Sequence, residues 1–220
     1  MIKIENSDVY GWDAAIRGAR NPMNSWDKMD SEWDGYGEAD GYSIGDNDLK
    51  LLKNLAHAGP DHGKFLRFIT VSFDITAPLY WWKEFDTYKV GTVANSCSTM
   101  HKIHAKEFTL ADFSCEHLLD VTEVSWGEKV PMLVMQEIVD CLNDYRHEFL
   151  NESNPEKKKK FWWQMIQLLP SSYNQRRTVL LNYQVLKSMY NARKNHKLDE
   201  WHDFCSWIHT LPYSELITNE

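Results

Sequence analysis

The chain has 220 residues, of which 43% are hydrophobic and ten are tryptophan, and this is enough for one sizeable core. A formal net charge of −8 argues against nucleic acid as a partner, because phosphate backbones bind basic surfaces. No apolar run approaches the roughly 20 residues of a membrane-spanning helix, and no basic segment followed by an apolar one opens the chain, so neither a membrane span nor a signal peptide is predicted.

The first fifty residues are expected to form one strand, one helix and a long loop. Residues 2–4 alternate like a short strand, and Ser7 is the expected N-cap of a helix that runs to Ala19. Residues 26–47 are rich in glycine, aspartate and aromatic residues, which predicts a loop. Loops of this length in compact domains tend to have a function.

A helix is predicted next over residues 49–58, with Asp46 or Asp48 as its cap and Gly59-Pro60 as its end. Residues 65–75 are rich in β-branched and aromatic residues and predict a strand. Pro78 suits the first turn of the helix that follows.

The second half of the chain is predicted to be mostly helical. Helices are expected over residues 132–150, 161–169, 185–193 and 198–208, and a strand is expected over residues 178–181. The charged stretch 151–160 reads as a solvated hinge. Helices alternating with two or three strands predict an α+β fold with a mixed or antiparallel sheet and packed helices, in a single domain over residues 1–220.

The most informative stretch is residues 73–101, where a strand ends in Ala-Pro and an amphipathic helix follows. This stretch resembles the signature region of flavin-dependent thymidylate synthases, in which an Arg-His-Arg triplet comes next. Without a gap, the triplet falls on Thr87, Tyr88 and Lys89. The later signature positions fall, in order, on Thr92, Ala94, Asn95, Cys97 and Thr99.

Two further segments resemble the same family in the same order along the chain. Residues 14–20 are similar to the early Ala-Ala-Arg helix, and His62 stands at the position of a family histidine, while a later Glu-His pair used at the flavin falls on Arg67-Phe68. Pro170, Asn182 and Arg193 keep the spacing of a family proline, asparagine and arginine, and His196 lies one residue nearer the arginine than the family's histidine does.

The resemblance implies a fold, an assembly and a reaction. Flavin-dependent thymidylate synthases are homotetramers with active sites shared between subunits, and they methylate dUMP with FAD, methylenetetrahydrofolate and NADPH. FAD and dUMP both carry phosphates, which arginine binds with paired, charge-assisted hydrogen bonds. Between residues 87 and 99, however, only Lys89 is cationic, which predicts loss of the dUMP methylation.

The resemblance also implies candidate site residues, although no catalytic residue is identified. The expected contacts to FAD come from five residues: His62, Lys89, Asn182, Arg193 and His196. The expected contacts to a nucleotide substrate come from Ser96, Ser98, Arg176 and Arg177. Other interpretations stay open, since His62 suits a turn, the two arginines suit a solvated edge, and Cys97 suits either a nucleophile or an inert thiol.

No metal site is predicted. His101 and His104 are three residues apart, but nothing supplies a third ligand. The stretch that begins at Asp30 imitates a calcium loop, but its twelfth position is Gly41 and not glutamate. Four widely spaced cysteines without a Cys-x-x-Cys pair indicate reduced thiols in a cytoplasmic protein.

Three functions remain at this point. The chain is either a divergent flavin- or nucleotide-binding enzyme, a catalytically inactive homologue that binds a protein partner, or a nucleotide sensor between these two. The second hypothesis assigns partner binding to the oligomer or to the tryptophan-containing loop at residues 26–42.

Overall fold

The computed structural model of the chain describes residues 2–33, 35 and 41–219. The helices are α1 Trp12–Arg20, α2 Asp46–His57, α3 Leu79–Phe85, α4 Thr99–Lys102, α5 Pro131–Asn151, α6 Pro155–Leu168, α7 Tyr183–Arg193, α8 Asp199–Ile208 and α9 Glu215–Thr218. The strands are β1 Lys3–Tyr10, β2 Glu32–Trp33, β3 Tyr42–Ser43, β4 Thr70–Pro78, β5 Val93–Ser96 and β6 Asn174–Asn182. Among these helices, none combines the length and apolar character needed to cross a membrane.

Four strands form one sheet in the order β1-β4-β6-β5. In β4 alternate side chains are buried, as a strand with one face on a core requires. A separate antiparallel pair, β2–β3, joins Trp33 to Tyr42 inside the predicted loop 26–47. Residues 34 and 36–40 of that loop lie outside the described residues. The predicted α+β fold with an antiparallel sheet and packed helices is confirmed.

Ser7 does not cap a helix, so that prediction is wrong. It lies in β1, and its hydroxyl accepts a hydrogen bond from the Trp207 indole at 3.1 Å. Strand β1 is mostly exposed at the edge of the sheet, so its residues are largely polar and do not alternate between apolar and polar as in a half-buried strand. The helix begins at Trp12 because Gly11 takes a left-handed φ of 98°, which turns the chain out of the strand.

The other predicted boundaries move by a few residues. Residues 63–67 form a 3-10 turn, so strand β4 begins at Thr70, and Pro78 ends this strand instead of starting the next helix. Helix α6 begins at Pro155, where Asn154 accepts hydrogen bonds from two backbone N–H groups, so residues 155–160 of the predicted hinge are helical. The single domain over residues 1–220 stays a prediction.

The chain packs as two compact units. The hairpin unit contains Thr76–Glu84 and Ser96–Arg176, and the mixed unit contains Ile2–Ile75, Phe85–Asn95 and Arg177–Glu220. All four cysteines are free thiols, of which Cys97 is exposed and Cys205 is buried.

Helices α5 and α6 pack against each other and give the hairpin unit its apolar core, to which residues 103–113 contribute Ile103, Phe108 and Phe113. The side chain of Asn143 on α5 binds both the N–H and the C=O of Phe108, at 2.8 and 2.9 Å. Arg146, one turn further on, donates to the carbonyl of His104 at 3.0 Å. These bonds pair backbone groups of residues 104 and 108, which lie outside any helix or strand.

A buried carboxylate organises the first half of the mixed unit. Asp48 is fully buried, and it accepts hydrogen bonds from Arg20 on α1 at 2.6 Å and from the hydroxyl and N–H of Ser31 at 2.7 and 3.1 Å. The predicted cap role belongs instead to Asp30, which accepts from the N–H groups of Asn47 and Asp48 at the start of α2. Burial alone would raise the pKa of Asp30, but these N–H donors hold that pKa below its usual value.

We expect Asp48→Ala to lower the free energy of unfolding by about 3–5 kcal/mol, because it leaves the Arg20 charge buried without its partner. The matched control is Arg17→Ala on the same helix, where an exposed ion pair with Asp13 is worth about 0.5 kcal/mol or less. Urea unfolding measures both. Similar losses for the two variants would contradict the assignment of Asp48 as the organising group.

A second prediction concerns His104 in the hairpin unit. Its Nδ1 is buried and has no hydrogen-bond partner among the residues that the structure describes, and its ring centroid lies 4.5 Å from that of Phe149. Burial, followed by the charges of Lys102, Lys158 and Arg146, lowers the pKa of His104 below its ordinary value of 6.5.

Because the folded-state pKa lies below the unfolded one, the unfolded chain binds this proton first as the pH falls. Stability is therefore expected to decline as the pH drops through 6.5 toward the folded-state pKa. His104→Phe should remove this contribution in unfolding measured between pH 5 and 8, whereas the same change at exposed His101 should retain it. A pH profile unchanged by His104→Phe would refute the role of this ring.

Candidate functional site

The mixed unit contains a cavity of about 460 Å³, which we call the lysine cleft. It is lined by Arg67, residues 87–91 including Lys89, and Asn182, Gln184, Val185 and Ser188. Its size falls in the range of small-molecule sites, roughly 300–1,000 Å³. Two of the residues predicted to contact a cofactor, Lys89 and Asn182, are thus brought together although they are far apart in the sequence.

The turn that carries Lys89 brings its backbone close to the cleft wall. The turn is closed by a hydrogen bond from the N–H of Thr92 to the carbonyl of Lys89 at 3.4 Å. Gly91 has a φ of 82°, and an added Cβ would lie 3.1 Å from the Val185 side chain and 3.2 Å from Nδ2 of Asn182. The close approach of backbone to cleft therefore requires glycine at this position.

Asn182 is held in one orientation by its role as a helix cap. It ends β6, and its Oδ1 accepts the N–H of Val185 at 3.0 Å as the N-cap of α7. Because Oδ1 accepts the cap hydrogen bond, Nδ2 of the same amide faces the Gly91 side of the cleft. Nδ2 carries two N–H donors. Asn182 therefore places an amide N–H donor of fixed orientation in one wall of the cleft, at the start of α7.

Two cations give the cleft its charge. Arg67 and Lys89 are both exposed, and neither forms an ion pair within the part of the chain that the structure describes. Arg67 is not among the site residues predicted from the sequence. The available signal was its alignment with a family position used at the flavin.

Arg193 does not line the cleft but lies behind Tyr88, which does. Its Nε donates to the Tyr88 hydroxyl at 3.0 Å, and its guanidinium carbon lies 4.8 Å from the ring centroid of buried Trp201. His196 is nearby in the chain, where its Nδ1 accepts the N–H of Leu198 at 3.2 Å. His62 is exposed at the turn before Gly63–Arg67 and is absent from the cleft lining.

The hairpin unit contains a second cavity of about 340 Å³, which we call the serine pocket. It is lined by Cys97, Ser98, Lys106, Asp112, Tyr173 and Arg176 together with Thr76, Thr99, Ala111, Asn174 and Gln175. Ser98 and Arg176, both predicted to contact a substrate, therefore share this pocket. The Cys97 N–H donates to the Arg176 carbonyl at 2.9 Å, and the Ser98 hydroxyl accepts the N–H of His101 at 3.1 Å.

The charges of the serine pocket are largely balanced. Lys106 is paired with Asp112, and although burial raises the pKa of this carboxyl, the hydrogen bonds from Lys106 and Thr109 outweigh burial and lower it. Burial, together with the Asp112 charge, raises the pKa of the Tyr173 hydroxyl. Tyr173 is therefore a neutral donor at physiological pH.

The remaining predicted substrate contacts lie elsewhere. Arg177 follows Arg176 in β6, and neighbouring side chains in a strand point to opposite faces. Arg177 forms an ion pair with Asp86 at 2.7 Å in the mixed unit. Ser96 is the exposed last residue of β5 and lines neither cavity. Among the described residues, no group of three or more histidine, cysteine, aspartate or glutamate side chains is arranged to hold a metal ion.

We expect Gly91→Ala to lower the free energy of unfolding by about 1–2 kcal/mol, from the left-handed backbone, with a further loss from crowding against Val185 and Asn182. Gly127→Ala is the matched control, because Gly127 has a φ of 89° but no atom within 4 Å of an added Cβ. Thermal unfolding of both variants separates the two effects. Equal losses of stability in the two variants would mean that crowding against Val185 and Asn182 does not contribute.

Comparison with known proteins finds a likeness in structure only. No family model matches the chain, and no curated protein matches it in sequence. A flavin-dependent thymidylate synthase ThyX from Helicobacter pylori, crystallised with FAD and dUMP, is 16% identical with a TM-score of 0.66 over 100% of this chain and 98% of that one. A second structure of ThyX from the same organism, also with FAD and dUMP, is 17% identical with a TM-score of 0.66 over 99% and 98%.

A third solved structure extends the likeness to another enzyme. The UMP/dUMP methylase PolB from Streptomyces cacaoi, bound with 5-Br dUMP, is 14% identical with a TM-score of 0.60 over 100% of this chain and 95% of that one. The three matches cover nearly the full length of both chains in each pair. The chain has the fold of the flavin-dependent thymidylate synthases.

Proposed function

We propose that the chain is a flavin-dependent thymidylate synthase-like protein that binds FAD in the lysine cleft. One observation carries the proposal: Lys89 and Asn182, which the resemblance assigned to FAD, line one cavity together with a second cation, Arg67. The proteins with a similar fold that were crystallised with FAD and dUMP support the same ligand class.

The residues of the cleft fit such a ligand. FAD carries a diphosphate, and the two exposed cations of the cleft, Arg67 and Lys89, supply the charge that a diphosphate needs. Gly91 keeps the Lys89 turn free of a side chain at the point of closest approach, and Nδ2 of Asn182 donates into the same space. In this arrangement Arg67 and Lys89 hold phosphate oxygens, and Asn182 orients a polar edge of the ligand.

A pyrimidine nucleotide is the proposed ligand of the serine pocket. Arg176 and Ser98 line this pocket, and Tyr173 adds a hydroxyl that stays protonated. The solved structures with dUMP and 5-Br dUMP support this class of substrate. Bound FAD supplies redox chemistry to reductive methylation in the related family, but most signature arginines are replaced here, so we propose that the dUMP methylation is lost.

The second candidate function is a catalytically inactive homologue that acts in protein interaction. Large apolar side chains are exposed along residues 119–134 of the hairpin unit, including a fully exposed Trp126 and a half-exposed Leu133. Such side chains favour contact with another protein chain. The homotetramer implied by the family resemblance, in the cytoplasm, is the assembly that we propose for either function.

The decisive experiment is a titration of the purified chain with FAD, followed by absorbance after desalting. We expect flavin to be retained near one per chain, and Arg67→Ala and Lys89→Ala each to weaken the affinity about tenfold, which equals about 1.4 kcal/mol of binding free energy. Both losses should shrink at high salt.

Lys197→Ala provides the matched control, since Lys197 is an exposed cation of the mixed unit outside the cleft. Its affinity for FAD should equal that of the wild type. A colourless wild-type protein would reject the FAD proposal and leave the protein-interaction function as the one to pursue. Equal losses at Lys197 and Lys89 would indicate binding to overall charge instead of to the cleft.

A further inference from the structure

The lysine cleft has one aromatic wall, the side chain of Tyr88. Tyr88 is half-buried, whereas its neighbours Thr87 and Lys89 are exposed. Its backbone is fixed by a hydrogen bond from its N–H to the Phe85 carbonyl at 3.0 Å. The ring therefore stands on a short turn that directly follows helix α3.

This ring is held from behind by a residue 105 positions further along the chain. The Nε of Arg193 donates to the Tyr88 hydroxyl at 3.0 Å, and the guanidinium carbon lies over the Tyr88 ring at 5.6 Å from its centroid. The same guanidinium lies over the ring of Trp201, which is completely buried. Tyr88 and Trp201 are themselves in edge contact, with centroids 6.3 Å apart.

The three side chains form one cluster, in which the Arg193 guanidinium contacts both rings and the rings contact each other; a planar guanidinium loses little freedom when it bonds in this way. The Tyr88 hydroxyl accepts from Arg193, so its own proton remains to be donated. A tyrosine fixed in this way at the wall of a cavity offers a ring surface and one directed donor. Flat heteroaromatic rings stack on such surfaces with little dependence on their identity.

We propose that Tyr88 is the stacking platform for the flat heteroaromatic ring of the ligand in the lysine cleft, and that Arg193 is a positioning residue that acts through Tyr88. The inference rests on the proposed function, since it names the part of the cleft that receives the ring. It assigns Arg193 no contact with phosphate, because its Nε is bound to Tyr88 and its guanidinium lies over buried Trp201.

The platform is tested with FAD as the probe, by affinity and by flavin fluorescence, which stacking on an aromatic side chain quenches. Tyr88→Leu should weaken FAD binding about tenfold and restore fluorescence of the bound flavin. Tyr88→Phe keeps the ring, so quenching should persist with an affinity loss of only about two- to threefold. Inorganic pyrophosphate, which has no ring, should compete with equal strength for the wild type and for Tyr88→Leu.

The positioning role is tested by a double-mutant cycle. Arg193→Lys keeps the positive charge but loses the planar guanidinium that contacts both rings and the Nε donor to Tyr88. It should therefore weaken FAD binding about threefold. Added to Tyr88→Leu, it should cause no further loss, because it acts only through the tyrosine. Thermal unfolding of each variant shows that the chain is folded at the temperature of the titration.

Four outcomes separate the inference from the function beneath it. A wild type that binds neither FAD nor dUMP overturns both. If Tyr88→Leu binds FAD with unchanged affinity and unchanged quenching, and its affinity for dUMP is also unchanged, the platform alone is overturned. A loss of dUMP affinity in Tyr88→Leu, with FAD unaffected, supports the platform with a pyrimidine as its ring. Additive losses in the cycle, or weaker pyrophosphate binding in Arg193→Lys, overturn the positioning role.

Discussion

The junction between β6 and α7 fixes the geometry of the lysine cleft. There the N–H of Tyr183 donates to the Ile69 carbonyl at 3.0 Å, and the Asn182 side chain caps the helix. Because Oδ1 of Asn182 accepts the cap hydrogen bond, the orientation of Nδ2 is fixed. The backbone at Gly91 passes so close to Nδ2 that a Cβ would lie 3.2 Å from it. A backbone constraint thus creates the preoriented donor that a ligand would use.

Charge is distributed differently here from the signature of the family that the chain resembles. Of the signature triplet, only its third position remains cationic, as Lys89, and Tyr88 supplies an aromatic ring in the middle. The cleft gains a second cation from Arg67, on the turn that precedes β4. Arg193 keeps the spacing of a family arginine, and its guanidinium lies against Tyr88 and Trp201. The cleft is therefore suited to an anionic ligand with a flat ring.

Helix α5 was more predictable than strand β1 for a physical reason. Helix α5 shows its apolar side chains at helical spacing, so its bounds were predicted within one residue at each end. Strand β1 is exposed at a sheet edge and carries polar residues, so a helix cap was predicted inside it. Asp46 or Asp48 was expected to cap α2, but Asp48 instead pairs with the buried Arg20, because leaving a buried charge unpaired costs more than losing a local cap.

The sequence by itself predicted the fold, through three segments in the order of the family that the chain resembles, and the same resemblance predicted Lys89 and Asn182 as cofactor contacts. It also predicted loss of the reaction of that family, since other residues stand at the positions of its signature arginines. Only the tertiary structure decided which residues meet. It brings Arg67 to Lys89, joins Arg193 to Tyr88, and directs Arg177 to Asp86 while Arg176 lines the serine pocket. These contacts join positions 22 to 105 residues apart, and no local pattern of side chains encodes such pairings.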